Sequence, residues 1–279
     1  MIEIIFLIAI SLAWISFAVA NDLKERIVPD WLNFSLVIFL LGFRFFYSLF
    51  LGNFDFFYQG LLGFAVFLAL GNIFYYGRMF AGGDAKLMIA LGAAIPLSAN
   101  FSENLNLFMT FLISFLFSGA IYGFGCSFFL FARNFEANRK ELARQILLNR
   151  KFIALSSIFG VVLFILGFFN QLWFYLGIFF IVTPGLYIYA KSVDESCLVK
   201  KIKTKNLTSG DWLYKNIKVK DRIIKSNWDG LSKNEVAFLK KNMKEVKIRE
   251  GIPFTPVFLM AFLAMIYFYF SGMNVFDFF

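Results

Sequence analysis

Two aspartates, Asp22 and Asp84, are the residues best placed to do chemistry in this sequence. Asp84 follows Gly82-Gly83 at the mouth of an apolar segment, and Asp22 follows the first apolar stretch of the chain. An ionisable side chain beside hydrocarbon is costly, so it points to a function and a partner. Two adjacent carboxylates cannot easily both ionise, so one can act as a base and the other as an acid. Such a pair could activate water for attack on a peptide carbonyl.

Each aspartate taken alone has a structural interpretation, as a helix cap or an interfacial charge. Gly82 and Gly83 remove side chains directly before Asp84, which predicts a backbone that an extended peptide can approach closely. Asp30 and Glu25 lie near Asp22 in the sequence. Asp30 is placed to cap the following helix and Glu25 to meet solvent, although either could instead attract a basic substrate segment.

The composition is that of a polytopic membrane protein. The chain has 279 residues, of which 60% are hydrophobic and only 16% charged, and it contains 42 Phe. The absence of His excludes imidazole catalysis and His-ligated metal sites. Cys126 and Cys197 are far apart in the sequence and suggest neither a zinc pair nor a disulfide framework. We therefore expect no metal and no cofactor.

Stretches of roughly 20 apolar residues predict membrane-spanning helices. The predicted fold class is all-α and polytopic, with about eight transmembrane helices and a small cytoplasmic α+β insertion before the last helix. The eight stretches are residues 2–20, 31–51, 56–76, 79–98, 105–132, 152–169, 172–190 and 253–271. Only Asn170-Gln171 separates the sixth from the seventh, so either a tight hairpin or one broken element is compatible with the sequence.

The distribution of basic residues predicts the orientation. With the amino terminus outside, the inner loops and Lys86 hold every Lys and Arg except Arg44, which is the positive-inside pattern. This places Asp22 and Asp84 on the cytoplasmic side of the cell membrane, at a similar depth. The basic residues then face anionic lipid, so the net charge of +9 does not indicate nucleic-acid binding. The long side chain of Arg44 is expected to reach the outer interface.

The same pattern divides the chain into five segments. Within the fourth, Ser232 and Glu235 have capping-box spacing, and Ile217 and Val219 alternate with lysines as in a short strand. The segments are a catalytic membrane core (1–132), a basic cytoplasmic loop (133–151), a membrane helical hairpin (152–190), a small basic cytoplasmic subdomain (191–252) and a C-terminal transmembrane helix (253–279).

Two patches of sequence resemble the type IV prepilin and preflagellin peptidases, which are intramembrane aspartic proteases of the GxGD type. They are Asp22-Leu23-Lys24-Glu25-Arg26-Ile27-Val28-Pro29 and Ala81-Gly82-Gly83-Asp84-Ala85-Lys86-Leu87. Three further patches are similar to the carboxy-terminal region of archaeal members: Gly210-Asp211-Trp212-Leu213, Asp229-Gly230-Leu231 and Gly251-Ile252-Pro253-Phe254-Thr255-Pro256. One position departs from the motif, because Ala81 replaces its first glycine, which reduces backbone freedom there.

The resemblance implies that Asp22 and Asp84 are catalytic aspartates facing the cytoplasm. The surrounding motif residues are Gly82, Gly83, Lys86, Arg26 and Pro29. The implied substrates are prepilin-like or preflagellin-like proteins that carry short basic leader peptides ahead of a hydrophobic helix. The zinc-binding cysteine pairs that accompany N-methylation in bifunctional bacterial relatives are absent from this sequence, which predicts cleavage without methyl transfer.

Three alternatives remain open from the sequence. Ion-coupled carriers also combine glycine-interrupted helices with intramembrane carboxylates, although no internal repeat is evident and both acids lie at one edge rather than the midplane. An inactive scaffold for filament assembly is the second. The third is the signal-peptide-peptidase and presenilin group, where a Tyr-Asp pair is expected; here Asn21 precedes Asp22.

Overall fold

The computed structural model describes residues 2–220 and 222–273, and it consists mainly of helices. The chain forms two compact units: Met1–Gly123 with Pro253–Phe279, and Phe124–Ile252. Residues 274–279 of the predicted C-terminal segment lie outside the described residues. The first unit contains both Asp22 and Asp84.

The first unit is a helical bundle with an apolar core. Its buried residues include Leu7 and Ile15 of the first helix, Leu36 of the second and Phe258 of the last. The helices are α1 (Ile2–Glu25), α2 (Asp30–Leu51), α3 (Asp55–Tyr76), α4 (Gly82–Gly92), α5 (Phe101–Arg133, which continues into the second unit) and α10 (Thr255–Ser271).

The polytopic all-α class is confirmed, and fewer than the expected eight of the described helices meet the length and hydropathy of a span on their own. Among the described residues, five helices are long and apolar enough to cross a membrane: α1, α2, α3, α5 and the helix that begins at Gln171. A bent pair of helices would make six. The predicted span 79–98 forms only the 11-residue helix α4, and α10 has 17 residues. At 1.5 Å per residue, α4 is about 17 Å long and cannot cross alone.

Glycines of α3 allow α4 to pack closely along much of its length. A Cβ atom on Gly63 would lie 2.3 Å from the carbonyl oxygen of Gly92, and one on Gly71 would lie 2.6 Å from Cγ1 of Ile89. Small residues at helix contacts are typical of membrane bundles, because backbones can then approach each other. The short helix is thus held against α3 by backbone contact.

Arg44 does not extend to the outer interface, contrary to the expectation from its sequence position. Its side chain is fully buried and donates hydrogen bonds to the carbonyl oxygens of Ala93, Phe56 and Pro96. Its guanidinium also lies 4.3 Å from the centre of the Phe56 ring. Two of these carbonyls follow the end of α4, where a helix leaves acceptors unsatisfied and where its dipole favours a cation. Burial therefore serves to fix the carboxyl end of α4.

Three consecutive helices of the second unit are α6 (Phe135–Leu148), α7 (Arg150–Leu166) and α8 (Gln171–Val193). Most of the segment 133–151, expected as a loop, is therefore helical. Helices α6 and α7 meet at an angle of 72°. Helices α7 and α8 form a hairpin, in which a Cβ atom on Gly177 would lie 2.5 Å from the backbone nitrogen of Phe164. Of the two arrangements left open for residues 152–190, the structure has two helices.

A small sheet and one helix precede α10, as predicted. Strands β1 (Val199–Lys203), β5 (Glu245–Arg249) and β2 (Trp212–Leu213) form an antiparallel sheet in the order β1-β5-β2, and β3 (Ile217–Val219) pairs with β4 (Arg222–Ile224). Helix α9 (Lys233–Asn242) begins with the predicted capping box of Ser232 and Glu235. Leu213, Val219, Leu239 and Val246 belong to the apolar core of this subdomain.

Candidate active site

Asp22 lies inside α1, in its last turn, rather than past the end of the helix. Its side chain is buried, with 8% of its surface exposed. The Oδ2 atom accepts hydrogen bonds from the backbone N–H and the hydroxyl of Thr255, at 3.1 Å and 2.9 Å. Thr255 is the first residue of α10 and is fully buried. The contact therefore joins the end of α1 to the start of α10.

Asp84 lies in the first turn of α4 and is partly buried. Its carboxylate accepts a hydrogen bond from the backbone N–H of Ala81, the residue that precedes the helix. This is the backward contact of an acidic residue at the third helical position. The helix dipole also favours a negative charge there. Local helix chemistry thus orients Asp84.

The carboxyl groups of Asp22 and Asp84 are close enough for their charges to interact. Aromatic packing supports this proximity, because Phe80 lies just before α4 and is buried against Phe254 and Phe258 at the start of α10. The ring centres of Phe80 and Phe258 are 5.9 Å apart. Phe80 thereby holds the start of α4 next to the start of α10, which carries the partner of Asp22.

The two glycines before Asp84 have different surroundings. A Cβ atom on Gly83 would lie 3.3 Å from Cβ of Val28, so the connection between α1 and α2 packs against this position. The nearest atom to a Cβ on Gly82 would be Cε2 of Tyr75 at 3.9 Å, and Gly82 is exposed. The segment that packs closely against Gly83 is therefore the α1–α2 connection of the same chain, whereas the surface at Gly82 is open to a substrate.

Ala81 has an ordinary backbone conformation, with φ of −69° and ψ of 162°. Any L residue adopts this extended conformation without strain. The replacement of the first motif glycine by alanine therefore costs no backbone strain at this position.

Arg26 and Pro29 shape the connection between α1 and α2. Arg26 has a φ of 55°, in the left-handed region, and its N–H donates to the carbonyl oxygen of Asp22 at 2.9 Å. This is a C-terminal helix cap that usually contains glycine. Pro29 has a φ of −62° and directly precedes α2. Both residues turn the chain so that α2 starts soon after Asp22.

Asp30 and Lys86 form an ion pair between the start of α2 and α4, with 2.5 Å between Oδ1 and Nζ. Both side chains are partly exposed, at 61% and 43%, so the pair contributes little free energy. Glu25 is exposed and lies 3.8 Å from Nζ of Lys24. Asp30 is therefore occupied by Lys86, whereas Glu25 faces solvent.

Two residues that the sequence did not connect with the candidate site contact the helices that carry Asp22 and Asp84. Thr255 holds Asp22, and Arg44 fixes the far end of the helix that carries Asp84. The sequence signal for Thr255 was a helix start next to a proline, which names no partner 233 positions away. For Arg44, the sequence shows a charged residue within an apolar span. Its hydrogen-bond acceptors are backbone carbonyl groups, which every residue has, so the sequence does not indicate which residues Arg44 contacts.

No group of three or more His, Cys, Asp or Glu residues within 2–220 and 222–273 could hold a metal ion. A cavity of about 330 Å³ in the first unit is lined by Glu3, Tyr47 and Tyr269, among others. Glu3 lies at the beginning of α1 and Asp22 near its end, so this cavity does not belong to the site.

The fold and the site define a multi-pass membrane protein with a carboxylate pair where three helix ends meet. The family model described as the type IV leader peptidase family matches residues 9–124, which include Asp22 and Asp84. Over residues 9–124, this match confirms the resemblance to the prepilin and preflagellin peptidases. The match supports peptidase activity on prepilin-type substrates in general. Neither the curated proteins nor the solved structures contain a match to this chain.

Proposed function

We propose that this chain is an aspartic endopeptidase that removes short basic leader peptides from prepilin-like or preflagellin-like proteins. The observation that supports this most is the interaction between the carboxyl groups of Asp22 and Asp84. The two aspartates come from different helices and both lie in the region that matches leader peptidases. If Asp84 served only as a helix cap, a second carboxylate close to it would be a disadvantage, because like charges repel.

The proposed reaction divides the work between the two aspartates. Asp22, as a carboxylate, takes a proton from a water molecule while the water oxygen bonds to the scissile carbonyl carbon. Asp84, protonated, gives its proton to the carbonyl oxygen. The carbon–nitrogen bond then breaks, the amine receives the proton held by Asp22, and one hydroxyl of the diol intermediate returns its proton to Asp84 as the carbonyl of the new carboxylic acid forms. Positioned proton transfer contributes about 10²- to 10⁴-fold in rate, and orientation at the helix ends contributes further.

The proposed location of the reaction is the cytoplasmic face of the cell membrane, with lipid and protein substrates as the partners. Almost all basic residues fall in loops that the positive-inside pattern assigns to the cytoplasm, together with both aspartates. The archaeal, preflagellin-type assignment and the absence of N-methyltransferase activity belong to the proposal as well. The mass of the new amino terminus after cleavage reports directly whether a methyl group has been added.

Glu25 and Asp30 are the proposed contacts for the basic leader. Glu25 is exposed and Asp30 is held by Lys86, so a basic leader residue would displace Lys86 to reach Asp30. We expect the double variant Glu25→Gln, Asp30→Asn to cleave a substrate with a basic leader more slowly than wild type does. The same variant should cleave a substrate whose leader has been neutralised at about the wild-type rate. The matched control is Glu245→Gln, an exposed acid of the second unit. Unchanged processing of the basic leader would remove this part of the proposal.

A cleavage assay with purified protein separates the proposal from its alternatives. The full chain is reconstituted in liposomes with a prepilin-like substrate, and the products are sequenced at the new amino terminus. We expect one cut at the junction between the basic leader and the hydrophobic helix. Intact substrate would favour the ion-coupled transporter or the inactive scaffold. Ion uptake into the same liposomes then distinguishes those two.

A further inference from the structure

The carboxylate of Asp22 is held by an element far away in the sequence. Both donors of Thr255 reach the same oxygen, Oδ2, and all of these atoms are buried. Charge-assisted hydrogen bonds of this kind are stronger and more directional than those between neutral groups. Two bonds from one residue to one oxygen restrict rotation of the carboxylate much more than a single bond would.

The start of α10 explains why Thr255 is available as a donor. The first N–H groups of a helix have no acceptor within the helix. Pro256 has no N–H, and the N–H of Val257 donates to the carbonyl oxygen of Phe254 at 3.1 Å. The N–H of Thr255 is satisfied by Asp22. Asp22 lies in the last turn of α1, where the helix dipole disfavours a negative charge, and the positive end of α10 offsets this.

We propose that Thr255 is a positioning residue for catalysis, which holds Oδ2 of Asp22 so that Oδ1 takes the proton from water. This inference rests on the proposed function and adds a residue to it. In the reaction, the proton moves from water to Oδ1 and later to the departing amine, while Oδ2 keeps its bonds to Thr255. Without the hydroxyl, the plane of the carboxylate can turn out of line with the water, so losing the hydroxyl slows the chemical step rather than substrate binding.

The test compares side chains that keep or lose the hydroxyl at position 255. Thr255→Val keeps the shape of the side chain and the backbone donor but removes the Oγ1 donor, and Thr255→Ser restores that donor. A misdirected catalytic group costs up to about a hundredfold, and we expect a fall in kcat of about tenfold or more in the Val variant. KM should stay within about twofold, and the Ser variant should recover kcat to within about threefold. Steady-state cleavage by the reconstituted full chain measures all of these values.

Thr110→Val provides the matched control, because Thr110 is a buried threonine of α5 in the same unit. We expect it to leave kcat unchanged. If Thr255→Val does not fold, as judged by thermal unfolding, Thr255→Ala replaces it in the comparison with Ser. A Val or Ala variant with wild-type kcat, a change in KM alone, or a Ser variant that recovers nothing would each overturn the inference.

Failure of this inference is distinguishable from failure of the proposed function. If wild-type protein does not cleave the substrate, or if Asp22→Asn cleaves at the wild-type rate, the proposed function is wrong and the inference falls with it. If wild type cleaves, Asp22→Asn does not, and Thr255→Val has a normal kcat, only the positioning by Thr255 is refuted.

Discussion

Arg44→Lys is the substitution that best tests how the short helix α4 is anchored. The charge is kept, but the planar fork of three nitrogens is replaced by one ammonium group. In the wild type, Nε donates to Ala93, Nη1 to Phe56 and Nη2 to Pro96. Lysine presents a single point charge and does not reproduce the fork, so we expect two of the three hydrogen bonds to be lost.

The cost follows from the burial of these groups. A hydrogen bond to a charged group contributes about 1.5–3 kcal/mol, so two lost bonds correspond to about 3–6 kcal/mol in the free energy of unfolding. The ammonium remains buried, so the cost of desolvating a charge is not relieved. Gly60 supports the tight fit, since a Cβ there would lie 2.4 Å from Cδ of Arg44.

Unfolding of the purified variant in mixed detergent micelles measures this free energy. Hydrogen exchange should show the largest loss of protection in residues 93–98, which follow α4. Arg78→Lys is the control, because Arg78 is exposed and should change the free energy by less than about 0.5 kcal/mol. A difference between Arg44→Lys and wild type as small as that of the control would refute the anchoring role.

Three further predictions concern other positions. Gly82→Ala should fold normally but slow cleavage, because the substrate peptide is expected to pass the open surface at Gly82. Gly83→Ala should lower the thermal unfolding midpoint, because the new Cβ would press against Val28. Equal effects of the two variants on stability would contradict the close contact of Gly83 with Val28. Hydrogen bonds from Ser232 hold the pKa of Glu235 below its ordinary value of 4.5. The stability that the Glu235 carboxylate contributes is therefore present above pH 4.5 and is lost as the pH falls through its lower pKa in the folded protein. Hydrogen exchange of α9 should show this loss of stability, and Glu235→Gln should abolish the pH dependence. Asn33 is buried, and its side-chain amide has no hydrogen-bond partner among residues 2–220 and 222–273. Asn33→Leu should therefore raise the free energy of unfolding by about 1–3 kcal/mol. An unchanged free energy of unfolding would mean that the amide has a hydrogen-bond partner in the membrane.

Features with a local cause were predictable from the sequence. The capping box of Ser232 and Glu235 and the strand at Ile217–Val219 formed as predicted, because their spacing reflects hydrogen bonds within a few residues. The apolar stretches all contain helices, since burial in lipid demands backbone hydrogen bonds within each segment. The two aspartates at helix ends could also be recognised from the sequence, because each follows or begins an apolar stretch.

Features that depend on distant contacts were not predictable. The run from Met79 to Ser98 is apolar throughout, but hydropathy measures transfer to lipid and not where a helix ends. Helix α4 ends at Gly92, four residues before Pro96, and Arg44 of another helix donates to carbonyls that follow this end. The contact of Asp22 with Thr255 likewise joins opposite ends of the chain, and hydroxyl donors are common in any sequence.

The central claim is that Asp22 and Asp84 act together in cleavage. The most direct test is the rate of leader removal by purified Asp22→Asn and Asp84→Asn, with Asp55→Asn as an exposed control and thermal unfolding as the check on folding. We predict that each of the first two variants loses at least about 10²-fold in rate while it remains folded, and that the control cleaves normally. A folded Asp22→Asn or Asp84→Asn protein that cleaves at the wild-type rate would contradict the account.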